Sequence, residues 1–381
     1  MLRTMLAVML LVGSAQLSWG QPAPTPARRP AGAEEKIDAA TAARLLTEVY
    51  EQTKDSTSAE EFGRAIEVCE RAIAADPPAK IVKYARQLAA WAYNRRGEVF
   101  ADQAASLFNS GERREANELD ALALDDFQAA VRHDPTKWKA IHNRGVSLAL
   151  HGKIDEAVTD FGRVLELEPA FVNSRFNRAE LLAGQGKWQA AIDDYTEVLK
   201  NKPDDVGAML GRGQGLLQQG KLADAIADFS EAIRYQPQNA AAYVGRADAY
   251  TAQGHWNAAG NDYREAVRLN ANLGRAYRGA AWLMATCPRE ELRHADAALR
   301  SAQKAIKLDG NGDWTYLDAL AAAQANAGQY EEAQATIEKA LQMAPDSAVE
   351  VLQSRYALYR DGQPYRQGDG ATAASTGPVT R

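Results

Sequence analysis

Residues 206–239 read VGAMLGRGQGLLQQGKLADAIADFSEAIRYQPQN, and the fold of the chain can be inferred from this stretch. Two helix-periodic segments flank a glycine at position 15, which is suited to end the first helix in a left-handed cap. Small residues at positions 8 and 20 allow two antiparallel helices to approach closely, and proline at position 32 stops the second helix. The stretch therefore predicts one antiparallel helix pair, whose marker residues are Gly213, Gly220, Ala225, Phe229 and Pro237.

The pattern recurs at a constant step. Prolines lie 34 residues apart, and the same residue types return in the windows 138–171, 172–205, 206–239 and 240–273. An aromatic at position 24 fills the space between neighbouring helix pairs. The residues at positions 8, 15, 20 and 24 are, in turn, Gly145, Ala179, Gly213 and Ala247; Gly152, Gly186, Gly220 and Gly254; Ala157, Ala191, Ala225 and Ala259; and Phe161, Tyr195, Phe229 and Tyr263.

This combination resembles the tetratricopeptide repeat (TPR) over roughly residues 37–360. The closing segment YRDGQPYR, residues 359–366, is similar to that of exported bacterial TPR proteins. The resemblance implies an all-α fold: a right-handed α-solenoid of about eight TPR-like helix pairs plus a C-terminal capping helix. It also implies a non-catalytic scaffold that binds proteins or peptides on the concave face of the superhelix.

The segments on both sides follow the register less regularly. In the second degenerate repeat the closing half, DDFQAAVRHDP, arrives 14 residues late, so both of its helices are predicted to be about two turns longer than usual. The full assignment is a signal peptide at 1–20, a Pro/Ala-rich linker at 21–36, degenerate repeats at 37–78 and 79–137, regular repeats at 138–273, an inserted repeat at 274–313, a regular repeat at 314–347, a capping helix at 346–360 and a disordered tail at 361–381.

The first residues predict export. Arg3 precedes a short apolar run, and Ser18 and Gly20 place small residues three and one before a cut ahead of Gln21. The run is too short to span a bilayer comfortably, and no cysteine lies near the cut to accept a lipid. The sequence therefore predicts a periplasmic or secreted protein with no membrane insertion after cleavage.

Composition and motifs narrow the function class. The net charge is −6, so no basic field attracts nucleic acid. The only two cysteines, Cys69 and Cys287, are expected to be buried and unpaired. No nucleophile motif, phosphate loop or metal-spaced His/Cys cluster occurs. We therefore expect no enzyme activity, no metal, no cofactor and no small-molecule substrate.

A charged pair recurs beside the core positions. Position 7 is arginine and position 23 is aspartate in all four windows of 138–273, and an unpaired charge at either place would be costly to bury. We predict a structural Arg/Asp ladder of mostly buried arginines, while an arginine column that binds anions is the alternative interpretation. Whether each arginine meets its own repeat's aspartate or a neighbour's stays open, and the ladder residues are Arg96, Asp126, Arg144, Asp160, Arg178, Asp194, Arg212, Asp228, Arg246 and Asp262.

The family resemblance places the binding surface on the first helix of each repeat. The Lys/Asn set with which co-chaperone members clamp a terminal carboxylate is absent. An exposed apolar strip with acidic flanks is expected instead, which suits a partner with apolar anchors and basic flanks. The predicted partner-binding residues at positions 5 and 9 are His142, Val146, Phe176, Glu180, Leu210, Gln214, Val244 and Asp248.

A rival interpretation belongs to a different class. The chain could instead be a cell-envelope assembly or structural protein that acts through its terminal or edge surfaces. An apolar strip on the first helices favours ligand binding, whereas an apolar terminal face favours assembly.

Overall fold

The structure is a computed structural model that describes residues 37–368. The predicted signal peptide, the linker and residues 369–381 lie outside this part of the chain. Within it the structure contains 17 α-helices, one short 3₁₀ helix and no strand, which confirms the all-α helical-repeat prediction. The helices are α1 (Ala39–Thr53), α2 (Ala59–Ala74), α3 (Ala79–Ser110), α4 (Arg113–His133), α5 (Trp138–Leu150), α6 (Ile154–Leu167), α7 (Val172–Gly184), α8 (Trp188–Asn201), α9 (Val206–Gln218), α10 (Leu222–Tyr235), α11 (Ala240–Gln253), α12 (Trp256–Leu269), α13 (Gly274–Thr286), α14 (Ala295–Asp309), α15 (Trp314–Asn326), α16 (Tyr330–Met343) and α17 (Asp346–Arg360).

In chain order these helices make eight pairs followed by α17. The chain divides into two compact units, which meet at Leu181 and Leu182 within α7. The first unit holds α1 to the greater part of α7, and the second holds α8 to α17. In the part of the chain that the structure describes, no helix is both long enough and apolar enough to cross a membrane.

Local sequence explains where the regular helices begin and end. The side chain of Asp205 accepts a hydrogen bond from the backbone N–H of Ala208 and caps α9, and Asp313 caps α15 in the same way through Thr315. The position-15 glycines adopt the left-handed conformation predicted for them, with φ of 72° at Gly220 and 80° at Gly254.

The small residue at position 8 has a contact that the pattern alone did not indicate. The pattern paired it with the alanine at position 20. A Cβ added to Gly145 would instead lie 2.9 Å from the ring of Phe161, the position-24 aromatic, and one added to Gly213 would lie 3.0 Å from the ring of Phe229. The glycine therefore makes room for the aromatic side chain of its own repeat.

The second pair is long, as its late closing half predicted. Helix α4 has 21 residues, seven more than α6, which is about two turns. Helix α3 has 32 residues against 13 in α5, so its excess is larger than predicted. Cys69 in the first unit and Cys287 in the second are both buried and unpaired. Burial raises the pKa of the Cys69 thiol to about 12.

The predicted disorder of residues 361–381 is wrong for 361–368. Helix α17 covers the end of the stack through Leu352 and Tyr359, and the chain then turns back toward α13. The backbone N–H of Gln367 donates to the carbonyl oxygen of Thr286 at 2.9 Å. Tyr365 packs against Trp282, so this polar segment is ordered by contacts with a helix some eighty residues earlier.

Candidate functional site

Arg/Asp pairs recur at equivalent places in both units. In four repeats the arginine donates two parallel hydrogen bonds to the aspartate of its own repeat, in the bidentate geometry that favours arginine. The Nε and Nη2 distances to the two carboxylate oxygens are 2.8 and 2.7 Å for Arg96–Asp126, 2.7 and 2.6 Å for Arg144–Asp160, 2.7 and 2.7 Å for Arg212–Asp228, and 2.7 and 2.9 Å for Arg246–Asp262.

These pairs fasten the first helix of a repeat to its second helix. The aspartates are buried, and the arginine side chains keep 20–26% exposure, so each arginine retains some contact with solvent. The side-chain hydrogen bond with Asp160 raises the pKa of Arg144. Arg178 and Asp194 complete the predicted set: Asp194 is buried, and both residues are engaged in interactions.

Two of the arginines also reach the preceding repeat. The Nη1 atom of Arg246 donates to the hydroxyl of Ser230 at 3.2 Å, and that of Arg212 lies 3.5 Å from the hydroxyl of Thr196. Both hydroxyls follow the position-24 aromatic of the preceding repeat. The arginine thus links three helices, which favours the structural interpretation over an anion-binding column.

The predicted apolar strip is largely core. Val146, Phe176 and Val244 are 4%, 8% and 1% exposed, so the expectation of an exposed strip is wrong for them. Val146 packs with Leu124 and Phe161, and Val244 packs within the core of the second unit. Leu181 on the following first helix packs with Val146, and Ala276 on the following first helix packs with Val244. The remaining predicted site residues are only partly buried: Glu180, Leu210, Gln214 and Asp248.

His142, the first predicted contact residue, is also a core residue. Its Nδ1 lies 2.8 Å from the Ser174 hydroxyl, and its ring packs between Phe161 and Phe171, with centroids 5.6 and 5.0 Å away. Burial lowers the pKa of His142 to about 4, so the imidazole is neutral near pH 7. Its place in the structure fits a packing role.

Polar side chains instead form a continuous surface feature in the second unit. The Nη2 atom of Arg275 on α13 donates to Gln214 Oε1 on α9 and to Asp248 Oδ2 on α11, both at 3.0 Å. The hydroxyl of Tyr263 donates to the other oxygen of Asp248 at 2.6 Å. We call Gln214, Asp248 and Arg275 the polar row. The sequence pattern indicated the first two residues but missed Arg275, which stands at position 2.

A similar arrangement occurs in the first unit. The side-chain amide of Asn143 on α5 donates to Asn94 Oδ1 at 3.0 Å and to Glu98 Oε1 at 3.1 Å, both on α3. Here too, side chains of consecutive first helices meet. Within residues 37–368, no group of three or more histidine, cysteine, aspartate or glutamate side chains is placed to hold a metal ion.

Comparison with known proteins identifies the repeat. Residues 142–206 and 316–347 match family models described as tetratricopeptide repeat, and residues 213–254 match a model described as TPR repeat. No curated protein matches the chain.

Among solved structures, similarity extends to a tetratricopeptide repeat protein from Parabacteroides merdae ATCC 43184, with 18% identity, coverage of 69% of this chain and 98% of that chain, and a TM-score of 0.53. At this identity the likeness shows the fold alone. Two further matches have TM-scores below 0.5: Pseudomonas aeruginosa pilF, with 16% identity, coverage of 61% and 96% and a TM-score of 0.46, and YrrB, described as a TPR protein with an unusual peptide-binding site, with 17% identity, coverage of 47% and 88% and a TM-score of 0.40.

Proposed function

Because this chain is a tetratricopeptide repeat protein, we propose that it is a non-catalytic scaffold that binds a protein or peptide on the surface of its first helices. The polar row is the observation that carries this proposal. It joins side chains of three successive first helices, so a single elongated partner could contact several repeats at once.

The chemistry of the polar row suggests what it binds. Asp248 and Gln214 supply acceptors beside Arg275 and the buried Arg278, and Leu210 adds a partly buried apolar side chain. With three of the predicted apolar anchors buried, recognition rests on hydrogen bonds more than on an apolar strip. The partner expected is a protein segment with hydrogen-bonding side chains.

The test is capture of a partner from envelope extract by the immobilised chain, compared between two double variants. Gln214→Ala/Arg275→Ala removes the polar row's outer members and leaves the Tyr263–Asp248 bond in place. Glu231→Ala/Arg234→Ala, the control, removes an exposed ion pair on the second helix α10. We expect the first variant to lose capture at least tenfold and the control to keep it. Equal capture by the two variants would contradict use of this surface.

The assembly function has one supporting observation of its own. Tyr50 on α1 of the first repeat and Tyr84 on α3 of the second are 37% and 40% exposed, and Tyr50 also packs edge-on to Trp91 on α3. Exposed aromatic rings on the first two repeats suit contact with another macromolecule. Loss of capture in Tyr50→Ser/Tyr84→Ser, with capture intact in the polar-row variant, would favour assembly over first-helix binding.

Export belongs to the same proposal. Its support is the charged start, the apolar run and the small residues ahead of Gln21. N-terminal sequencing of the protein from its native host should begin at or near Gln21. A cytoplasmic protein that retains Met1 would contradict export.

A further inference from the structure

The chain's own C-terminal segment occupies the first-helix surface of the last two repeats. Residues 363–367, which we call the tail segment, follow α17 and are not helical. Their contacts fall on Trp282, Ala285 and Thr286, at positions 9, 12 and 13 of α13, and on Asn326, at position 13 of α15. Gln214 and Asp248 of the polar row also stand at position 9, so the tail segment contacts register positions equivalent to those of the polar row.

The hydrogen bonds of the tail segment are specific. Helix α13 ends at Thr286, so its last carbonyl groups lack partners within the helix. Gln367 donates to Thr286 through its backbone N–H at 2.9 Å and through its side-chain amide, which meets the threonine hydroxyl at 2.6 Å. The Nη1 atom of Arg366 donates to the carbonyl oxygen of Ala285 at 2.7 Å, while its Nη2 donates to Asn326 Oδ1 at 3.0 Å.

A binding position for an aromatic ring, occupied by Tyr365, lies beside these hydrogen bonds. The guanidinium of Arg355 lies 4.7 Å from the centre of the Tyr365 ring and 4.6 Å from that of Trp282, and the two rings are 5.8 Å apart. Arg355 is held in place by a buried ion pair with Asp318. The guanidinium of Arg355 and the indole of Trp282 therefore favour an aromatic ring at the place of Tyr365.

We propose that this surface is a peptide-binding site for partner segments in which an aromatic residue is followed by arginine, and that the tail segment is the resident such a partner displaces. The proposal deepens the proposed function and rests on it. An aromatic side chain would take the place of Tyr365 between Arg355 and Trp282. The following arginine would take over the bonds to Ala285 and Asn326.

Because the tail segment is tethered to its site, it sets a minimum affinity that a competing partner must exceed. A segment joined to its site by a short linker competes at an effective concentration in the millimolar range. A free peptide of the same sequence is therefore excluded from the wild-type chain, and a partner needs either higher affinity or a second contact, such as the polar row, to enter.

The experiment uses the full chain and a labelled peptide, DGQPYRQG, which reproduces residues 361–368. The substitutions Tyr365→Ala/Arg366→Ala in the chain remove the resident's anchors. We expect fluorescence anisotropy to show peptide binding to the variant at least tenfold tighter than to the wild-type chain. A control peptide, DGQPAAQG, should bind neither protein.

Three outcomes would overturn the proposal. The first is a variant with wild-type helicity and melting temperature that fails to bind the peptide, and the second is equal binding of both peptides. The third is a wild-type dimer that the substitutions convert to a monomer, since the tail segment would then join two copies. If the double variant folds poorly, Arg366→Ala alone serves as the variant, because the Arg366 side chain is only partly buried. Peptide failure with intact dependence of capture on the polar row would leave the proposed function standing.

Discussion

Truncation of Asp228 to alanine should destabilise the helix pair α9–α10 by about 2 kcal/mol. Asp228 is 10% exposed and accepts two hydrogen bonds of 2.7 Å from Arg212, whose side chain is 26% exposed. Without the carboxylate, the guanidinium retains the long contact with Thr196 at 3.5 Å and the more distant charge of Asp224.

The magnitude follows from partial exposure. Breaking a fully buried ion pair costs about 3–5 kcal/mol because a charge is left unpaired, whereas exposed pairs contribute about 0–1 kcal/mol. Arg212 can regain part of its hydration through the exposed quarter of its side chain, so we expect a value between the two ranges. About 2 kcal/mol corresponds to a factor of about 30 in an equilibrium constant.

Native-state hydrogen exchange is the suitable assay, since repeat arrays open locally and need not unfold in one step. Amide protection in α9 and α10 should fall about 30-fold in Asp228→Ala. The matched control is Glu231→Ala on the same helix, where Glu231 and Arg234 are 45% and 60% exposed. It should change protection by less than about fivefold. Equal effects of the two substitutions would show that burial does not strengthen the Arg212–Asp228 pair.

Two further predictions concern packing. Gly245→Ala would force a Cβ into the ring of Phe229 and should lower the free energy of unfolding by about 1–3 kcal/mol, measured by thermal or urea unfolding. The control, Gly184→Ala, has no atom within 4 Å of the added Cβ and should be neutral or stabilising. A Gly245→Ala variant as stable as the wild type would contradict the contact between glycine and the aromatic ring. His142, with a folded pKa of about 4 against about 6.5 when unfolded, binds a proton more readily in the unfolded chain, so its contribution is complete above about pH 6.5 and is lost as pH falls toward 4. Between pH 7 and pH 5 the wild-type chain should lose about 2 kcal/mol more than His142→Asn, and identical pH profiles would show that the histidine does not titrate as inferred.

The fold could be predicted from the sequence because each marker residue acts locally or between adjacent helices. Glycine at position 15 needs only its own left-handed backbone, and proline at position 32 needs only the preceding turn. Arginine and aspartate at fixed positions predicted ion pairs. Whether each pair forms within one repeat or between neighbours depends on how the helices are rotated about their axes, and the spacing of residues does not determine that rotation.

The surface was harder to predict. Positions 5 and 9 lie beside the core stripe, and whether Val146 or Val244 is exposed depends on how closely the following helix pair packs. The repeat pattern does not indicate Arg275, because its partners lie 27 and 61 residues earlier. The tail segment shows no apolar period, and its order comes from the carbonyl groups at the end of α13, which no local pattern reveals.

The most direct test of binding on the first helices is site-specific photo-crosslinking in the native host. A photoreactive phenylalanine analogue is placed at Gln214 in the polar row in one strain and at the exposed Glu231 of α10 in another. We expect the probe at Gln214 to crosslink to a distinct partner protein and the probe at Glu231 to give no such crosslink. Crosslinks from Glu231 with none from Gln214 would contradict binding on the first helices.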